Sequence, residues 1–337
     1  MILFYVAILV TIIVRMIISS TSFRDKEITI VRLMKKILCH IKSDWNKLAN
    51  KPELIILKTN AIRTRLCTII ITIAFYLYII FLTLPSIICI LLYNFDATNE
   101  TVLILPIYLN NFLKDQMNYY FTFLFECVFI IIITTIGITH YSMFVLIVQH
   151  ACALFNIVAS KIENGFKSNF SHPNNRNKFA QEYEWLVDII EFYDNAIDFV
   201  DLMKLYNKII YPFEVFFSLL FIIINYFYFF QLLSFTINTT EVLQKFNYII
   251  GSMFVIYVYC YLGQKLIDYH NEIFMKLCQI PFYSFSLKTQ KMLPFMIMKS
   301  LMPCNLSIKG VIVLSNLHFV TVVMAQVKKK TKDFENN

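Results

Sequence analysis

The side chains that most often carry chemistry are histidine, cysteine and the carboxylates, and their spacing predicts neither a catalytic nor a metal site. None of the six histidines is expected to pair with a second histidine or a carboxylate on one helix face, and no His-Glu-x-x-His motif occurs. The eight cysteines include no C-x-x-C pair, so reduced structural thiols are expected. The Ser and Thr residues form no recognisable nucleophile–base set. We therefore predict that the chain is not an enzyme and holds no metal or cofactor.

One carboxylate lies well inside an apolar run and has two possible roles. Glu126 is surrounded in sequence by Phe, Val and Ile residues. An ionisable group in hydrocarbon costs on the order of several kcal/mol unless it faces water or a partner. Glu126 is either a polar anchor for a ligand or a pore, or a group near the outer interface that hydrogen-bonds a neighbouring helix.

Six apolar stretches must position these side chains. They cover residues 1–18, 67–92, 121–148, 210–237, 246–267 and 305–327. A helix needs about 20 mostly apolar residues to cross the hydrocarbon core, and four of the stretches meet this easily. Hydrophobic residues make up 58% of the chain and charged residues 15%, against roughly 45–50% and 25% in globular proteins. The prediction is an all-α membrane protein, a polytopic helical bundle with one transmembrane domain over residues 1–337.

Basic charge is concentrated in one predicted loop. Residues 19–66 hold eleven Lys and Arg against four Asp and Glu, a net charge of +7. Such loops stay on the cytoplasmic side during insertion, and alternation then places the chain's end outside. The basic residues 328–332 alone would favour the opposite side. Because the charge of +8 is explained by the loops, no nucleic-acid partner is predicted.

Two N-glycosylation sequons agree with this topology. Asn99 and Asn238 each begin an Asn-x-Thr sequence and fall in predicted outer loops, so both are glycosylation candidates. A third sequon, at Asn169, falls in a predicted inner loop and is expected to stay unmodified. A cleaved signal peptide is the alternative for residues 1–18, but they lack the basic residues that precede the apolar core of such a peptide.

The longest polar segment, residues 149–208, is predicted to contain two helical parts. The first continues the preceding span, since apolar residues recur at helical spacing at Leu154, Phe155, Val158 and Ile162. The second is amphipathic, with an apolar stripe at Trp185, Ile189, Phe192, Ala196, Phe199 and Met203 and acidic residues on the other face. The stripe either packs on its own bundle or ties subunits together.

Several segments resemble the insect odorant receptor family, in particular its hymenopteran members. QHACALFNIV resembles the end of the family's fourth helix, and YLGQKLID resembles the inner end of its sixth. These two segments begin at Gln149 and Tyr261. Three further segments, which begin at Ser43, Ser286 and Leu314, resemble the family's first inner loop, its last cytoplasmic loop and the start of its pore helix. The likeness covers most of residues 35–327, and the order and spacing of the segments make it specific.

The resemblance implies a bundle of seven transmembrane helices with the N-terminus inside and the C-terminus outside. Here residues 1–18 align with the family's second helix, so six spans are expected and the first is missing. Family members continue beyond the position of Val327 with a polar and aromatic run, where this chain has basic residues that cannot lie in hydrocarbon. A non-functional receptor fragment is therefore an alternative.

The resemblance also implies a function. It is that of an odorant-gated cation channel subunit, which acts in smell as a heterotetramer with the odorant receptor co-receptor in the plasma membrane of olfactory dendrites. A small volatile ligand would bind in the outer half of the bundle, where aromatic candidates are Tyr78, Phe81, Phe125, Phe129, Phe254 and Tyr257. The last helix would line the pore with Val311, Ser315, Asn316, Phe319, Val320 and Val323. Packing against lipid, or inside the bundle, is the alternative for each.

Three other classes of membrane protein compete with this interpretation. A gustatory receptor of the same fold is the nearest. A secondary transporter would show internal repeats or paired broken helices, and neither is visible in the sequence. A metabotropic receptor has its N-terminus outside in a seven-helix bundle, which would place the +7 loop differently.

Overall fold

The structure of the chain is a computed structural model that describes residues 21–94, 116–170, 178–235, 239–302, 304, 307–308 and 312–313. The described part is almost entirely helical. Its helices are α1 (Thr21–Leu48), α2 (Leu54–Asn94), α3 (Gln116–Phe170), α4 (Lys178–Phe235), α5 (Thr239–Cys278) and α6 (Leu287–Ser300), with a 3-10 turn at Phe282–Ser284. Two short strands follow, β1 (Ser307–Ile308) and β2 (Ile312–Val313).

Four of the six predicted spans fall within helices that are longer than a helix needs to be to cross a bilayer, as far as the structure describes these spans. These helices are α2, α3, α4 and α5. α3 has 55 residues and α4 has 58. At 1.5 Å per residue they are about 80–90 Å long, whereas the hydrocarbon core is about 30 Å thick. Both helices therefore extend well beyond any membrane span, and the predicted helical continuation after residue 148 is confirmed.

The apolar parts of α2 and α3 turn most of their side chains outward. Leu54–Ile88 and Tyr120–Gly165 each contain an 18-residue window of mean hydropathy 2.4, and only 22% of each window is buried. The central helix of a soluble protein would bury most of such a window. Long apolar helices with exposed apolar side chains are what lipid solvates, because their backbone polar groups are already bonded within the helix.

The chain divides into two compact units. Of the described residues, the first unit contains those of Leu66–Phe144 and Phe213–Val255. The second unit contains those of Thr21–Arg65, Val145–Pro212 and the chain from Ile256 onward. α2, α3, α4 and α5 each contribute residues to both units.

The second unit has a close-packed apolar core. Ile189, Ala196, Phe199 and Met203 of α4 are fully buried, and the acidic residues of the opposite face are partly or fully exposed, so the predicted amphipathic helix is confirmed. All four α3 residues of the predicted continuation are buried as well. Such burial contributes about 25 cal/mol per Å² of apolar surface removed from water, which is the main stabilising term.

A tight turn makes α1 and α2 a helical hairpin. The amide of Lys51 donates to the carbonyl of Leu48 at 3.0 Å, and the amide of Leu54 donates to that of Lys51 at 3.1 Å. Beside the turn, the buried cluster of Leu48, Leu57, Ala153 and Ile157 joins both helices to α3. The turn and the cluster hold the end of α1 against the first turn of α2.

The segment predicted as the last span begins differently from the prediction. Within residues 305–327, β1 and β2 pair antiparallel, with Ser307 opposite Val313 and Ile308 opposite Ile312, where a helix was expected. Three of these four residues are β-branched, a type that favours extended pairing. The remaining residues of this segment lie outside the described part of the chain, as do residues 1–18. All six pore-lining candidates are among them: Val311, Ser315, Asn316, Phe319, Val320 and Val323.

Candidate functional site

Aromatic side chains of α2, α3 and α5 meet within the first unit. The ring of Phe75 stacks on that of Tyr141, with centroids 5.5 Å apart, and meets Phe254 edge-on at 6.4 Å. The hydroxyl oxygen of Tyr76 lies 3.2 Å from Oγ1 of Thr135. Phe75 thus contacts both α3 and α5. Offset and edge-on ring pairs of this kind contribute about 0.5–1.5 kcal/mol beyond the area they bury.

A glycine lets α2 and α5 approach each other. A β-carbon at Gly251 would lie 2.7 Å from Cζ of Tyr78 and 2.9 Å from its hydroxyl oxygen. Any other residue would therefore displace the phenol ring. Phe75 and Tyr78 are three residues apart on α2, as are Gly251 and Phe254 on α5, and the pairs Phe75–Phe254 and Tyr78–Gly251 show that these helices run antiparallel.

The six residues predicted to bind ligand do not all come together. Tyr78 and Phe254 lie at the same α2–α5 contact. Phe125 and Phe129 stack along α3, with ring centroids 6.3 Å apart, and Phe125 and Phe81 are 64% and 60% exposed. Tyr257 stacks on Tyr261 at 6.1 Å and belongs to the second unit.

Sequence reasoning missed Phe75, Tyr141 and Gly251, which organise this contact. Aromatic residues are so common here, with 33 Phe and 20 Tyr, that none stands out by type. Gly251 did carry a signal. It is one of only five glycines, and it interrupts an apolar run of bulky residues where no turn is needed.

Two buried hydroxyls in the first unit differ from their neighbours. Thr72, Thr83, Thr135 and Thr139 each donate to the carbonyl four residues earlier in the same helix, at 2.8–3.1 Å. Ser86 and Thr134 are 0% and 1% exposed, yet their hydroxyl oxygens have no hydrogen-bond partner in the described structure. A buried hydroxyl without a partner costs about 1–3 kcal/mol. These two groups are therefore suited to bond a ligand.

Glu126 of α3 is buried in the first unit. Glu126 is 3% exposed, so its side chain does not face open solvent. Starting from the Tyr76–Thr135 contact, Ser86 is ten residues further along α2 and Glu126 is nine residues back along α3. At 1.5 Å per residue, both lie about 14 Å from that contact in antiparallel helices. Ser86 and Glu126 are thus at a similar height.

A buried carboxylate joins three helices of the second unit. Oδ2 of Asp44 on α1 accepts hydrogen bonds from Nε2 of His150 at 2.9 Å and from Nδ1 of His40 at 3.1 Å. Oδ1 accepts from the amide of Asn195 on α4 at 3.1 Å. His40 and Asp44 are four residues apart on one helix, so the prediction that no histidine would pair with a carboxylate is wrong. Side chains four apart face each other on a helix, which explains the pair.

The surroundings of Asp44 keep it ionised. Burial alone would raise the pKa of this carboxyl, but the hydrogen bonds from His150, His40 and Asn195 hold it well below its usual range. An ionised carboxylate only accepts, so both imidazole nitrogens that face it carry protons. The ring of Phe199 packs against both imidazoles, with centroids 4.9 Å from His150 and 5.3 Å from His40.

A second ionic cluster lies beside the α1–α2 turn. Nζ of Lys161 on α3 is 2.6 Å from Oε1 of Glu53 and 2.7 Å from Oδ2 of Asp188 on α4. The ammonium also lies 4.4 Å from the centre of the Phe192 ring. Partial burial would lower the pKa of Lys161, but the two carboxylates raise it above its ordinary value. The cluster thus holds the turn against α3 and α4.

A third buried polar contact joins α4 to α5. The hydroxyl of Tyr193 is 3.1 Å from Nε2 of His270, and both side chains are buried. Burial, together with the positive charge of Lys204, lowers the pKa of His270. The imidazole is therefore neutral near pH 7. The polar side chains of these three clusters hold helices together, and none is arranged as a catalytic set.

The predictions about metal binding and glycosylation concern particular side chains. Among the described residues, no group of three or more His, Cys, Asp or Glu side chains is placed to hold a metal ion. The glycosylation candidates Asn99 and Asn238 lie outside the described residues. Asn169 falls within α3, one residue before its end.

A family model and two solved structures match the chain. The family model described as 7tm Odorant receptor matches residues 3–325. The fold is similar to that of the insect olfactory receptor OR5 from Machilis hrabei in complex with eugenol, with TM-score 0.57 and 12% identity over 84% of this chain and 69% of that one. A second structure of OR5 from Machilis hrabei gives TM-score 0.57 and 11% identity over 99% and 87%. No curated protein matches the chain.

Proposed function

This chain belongs to the 7tm odorant receptor family, and we propose that it acts in smell as the odorant-binding subunit of a ligand-gated cation channel. The match over residues 3–325 carries the proposal, since the family consists of membrane receptors. The long apolar helices with outward-facing side chains are consistent with that class. The fold shared with OR5 agrees with it.

The α2–α5 contact of the first unit is our proposed ligand site. Tyr78 and Phe254 would provide aromatic surface for a small volatile molecule, which needs dispersion and shape more than many hydrogen bonds. Phe81, Phe125 and Phe129 would flank it on α2 and α3. The hydroxyl of Thr134, one residue from the Tyr76–Thr135 contact, would favour odorants that carry an oxygen acceptor over plain hydrocarbons. For Tyr257 the role in ligand binding stays a sequence prediction.

The ligand would act by shifting a conformational equilibrium. An odorant can open a channel only to the extent that it binds the open state more tightly than the closed one. Displacement of Tyr78 from Gly251 is a means by which a ligand between α2 and α5 would favour one helix arrangement. The shift toward the open state would in turn move the pore residues predicted between Val311 and Val323.

The assembly and location follow from the family resemblance. We place the +7 loop, and with it α1, on the cytoplasmic side of the plasma membrane. The chain would form a heterotetramer with the odorant receptor co-receptor in the dendrites of olfactory neurons. The predicted glycosylation of Asn99 and Asn238, and its absence at Asn169, would be visible as mobility shifts after glycosidase treatment.

Co-expression with a co-receptor tests the function. Cells that express the chain and the co-receptor are exposed to a panel of volatile odorants while whole-cell current is recorded. We expect an inward cation current that neither subunit gives alone at the same odorant concentration. Currents identical to those of the co-receptor alone, in cells where surface biotinylation detects this chain, would contradict the proposal.

A further inference from the structure

One buried stripe of α3 carries two polar residues inside the first unit. Glu126, Ile130, Thr134 and Ile138 follow one another at intervals of four, and each is at most 8% exposed. Side chains at this spacing lie on one face of a helix. The neighbouring Phe125, in contrast, is mostly exposed. The carboxylate of Glu126 is therefore turned into the unit and away from its surface.

The hydroxyl of Ser86 on α2 lies at a similar height in the same unit. Ser86 is fully buried, and its hydroxyl oxygen has no hydrogen-bond partner in the described part of the chain. Ser86 is ten positions from Tyr76 along α2, and Glu126 is nine positions from Thr135 along α3. Counted from the ring contact of Phe75 with α3, the two separations are eleven and fifteen positions. At 1.5 Å per residue, Ser86 and Glu126 are thus level to within about 2–6 Å.

These two side chains match the hydrogen-bonding needs of a primary ammonium group. Such a group has one positive charge and three N–H donors, as in lysine. The carboxylate of Glu126 supplies two acceptor oxygens and a negative charge, and the hydroxyl of Ser86 supplies a third acceptor. Charge-assisted hydrogen bonds are about 2.7–2.9 Å long, so one nitrogen connects acceptors up to about 6 Å apart. This span agrees with the difference in height.

An inorganic cation fits this pair of residues less well. Calcium and magnesium take about six or more oxygen ligands, whereas Glu126 and Ser86 offer three. Among the described residues, no group of three or more His, Cys, Asp or Glu side chains is placed to hold a metal. A carboxylate within an apolar span favours a partner that brings positive charge without a large hydration shell. An organic ammonium with an apolar body meets both conditions.

We propose that Glu126 and Ser86 bind the protonated amino group of a volatile primary amine. The alkyl chain would lie along Ile130 toward Thr134 and the α2–α5 contact. Alkyl amines, like the lysine side chain, carry a proton near pH 7. The inference rests on the proposed function, since it names a class of odorant for the proposed ligand site and adds two residues to that site.

Binding of matched ligands to the complete chain tests this assignment. The chain is purified in detergent, and its melting temperature at pH 7.5 is recorded against the concentration of hexylamine, 1-hexanol or hexyltrimethylammonium. The three share one alkyl chain, but only hexylamine has both the charge and the three N–H donors. We expect half-saturation by hexylamine at a concentration at least ten-fold lower than by either of the others. This comparison needs no variant.

Variants connect the preference to the two side chains. Glu126→Gln removes the charge with little change in shape and should raise the half-saturating concentration of hexylamine at least ten-fold, with that of 1-hexanol within two-fold. Ser86→Ala removes one acceptor and should raise the value for hexylamine about three-fold. The control is Glu163→Gln, at an exposed α3 residue of the second unit, which should leave both values unchanged.

The outcomes that overturn the proposal are distinct. Equal half-saturation by hexylamine and 1-hexanol would exclude an ammonium site. Equal half-saturation by hexylamine and hexyltrimethylammonium would indicate attraction by charge without the three acceptors. A preference for hexylamine that survives Glu126→Gln would place the site elsewhere. Because binding is measured without a channel current, a chain that binds hexylamine as expected but gives no odorant current would contradict only the proposed function.

Discussion

The phenol ring of Tyr78 on α2 lies directly against the backbone of Gly251 on α5. A β-carbon at Gly251 would be 2.7 Å from Cζ of Tyr78, closer than β-carbons come to other atoms in proteins. Two helices therefore approach through a glycine and an aromatic ring, in the unit that contains most of the predicted ligand-binding residues. This contact connects the packing of the bundle with its proposed ligand.

Replacement of this glycine should impair odorant detection. Gly251→Ala forces the far end of the partly exposed Tyr78 ring to move, which costs on the order of 1 kcal/mol. We expect the odorant concentration for half-maximal current to change about five-fold, since 1.4 kcal/mol corresponds to a factor of ten. Concentration–response curves from cells with matched surface expression measure this. Tyr78→Phe keeps the ring and is the matched control; a shift as large as that of Gly251→Ala would assign the effect to the hydroxyl.

A second glycine contact should matter for stability only. At Gly165 of α3 a β-carbon would overlap the indole of Trp185, whose Nε1 donates to the carbonyl of Lys161 at 3.1 Å and whose ring stacks on Phe285 at 5.7 Å. Gly165→Ala should destabilise the protein by about 1–3 kcal/mol. Thermal melting, followed by fluorescence-detected size exclusion, measures the loss.

Thermal melting of a double variant tests whether Gly165 and Trp185 are in direct contact. Trp185→Phe removes the indole nitrogen that the new β-carbon would meet. The double variant with Gly165→Ala should therefore lose less stability than the two single variants predict together. Strict additivity would contradict a direct clash between these two residues.

Removal of the buried charge on Asp44 should be strongly destabilising. Asp44→Asn replaces one acceptor oxygen by an NH2 group that only donates, so at least one of the donors from His40, His150 and Asn195 loses its partner in a buried site, which costs about 1–3 kcal/mol or more. Asp201→Asn is the matched control, because Asp201 is exposed and its pair with Lys204 at 3.0 Å should be worth less than about 1 kcal/mol. Equal melting temperatures for the two variants would contradict the role assigned to Asp44.

Stability should fall in mild acid because of His270. Its pKa is lower in the folded state than the ordinary value of 6.5, so below that pH the unfolded chain binds a proton that the folded chain resists. The stabilising contribution is therefore complete above about pH 6.5 and declines as the pH falls toward the lowered pKa. His270→Gln should flatten this part of the melting profile between pH 7.5 and 5.5. An unchanged slope would show that other groups carry it.

Features that depend on one helix were predictable from the sequence. The stripe from Ile189 to Met203 follows from apolar spacing alone, and the continuation of α3 past residue 148 does too. The pair His40–Asp44 was readable in the same way, since four residues separate them. Contacts between helices were not. Asp44 meets Asn195 across 151 positions of sequence, and nothing local in either segment indicates the other.

The candidate ligand site also depends on contacts between helices, which the sequence does not indicate. Aromatic type selected Tyr78 and Phe254, but it also selected Phe81 and Phe125, whose side chains are mostly exposed. Only the rotation of each helix about its axis decides which aromatic residues face a neighbour, and an all-round apolar helix carries no periodic signal for that rotation. The glycine that permits close approach, Gly251, carried a better signal, which the choice by aromatic type did not use.

Ligand binding to the purified assembly is the most direct test of the account. An odorant that evokes current is added to the complex of this chain with its co-receptor, and thermal melting is recorded against odorant concentration. A ligand that binds only the folded state stabilises it by RT ln(1 + [L]/Kd). We expect a saturable rise in melting temperature that is absent from the co-receptor alone and reduced by Gly251→Ala. An equal rise with the co-receptor alone would show that the odorant binds elsewhere and would contradict it.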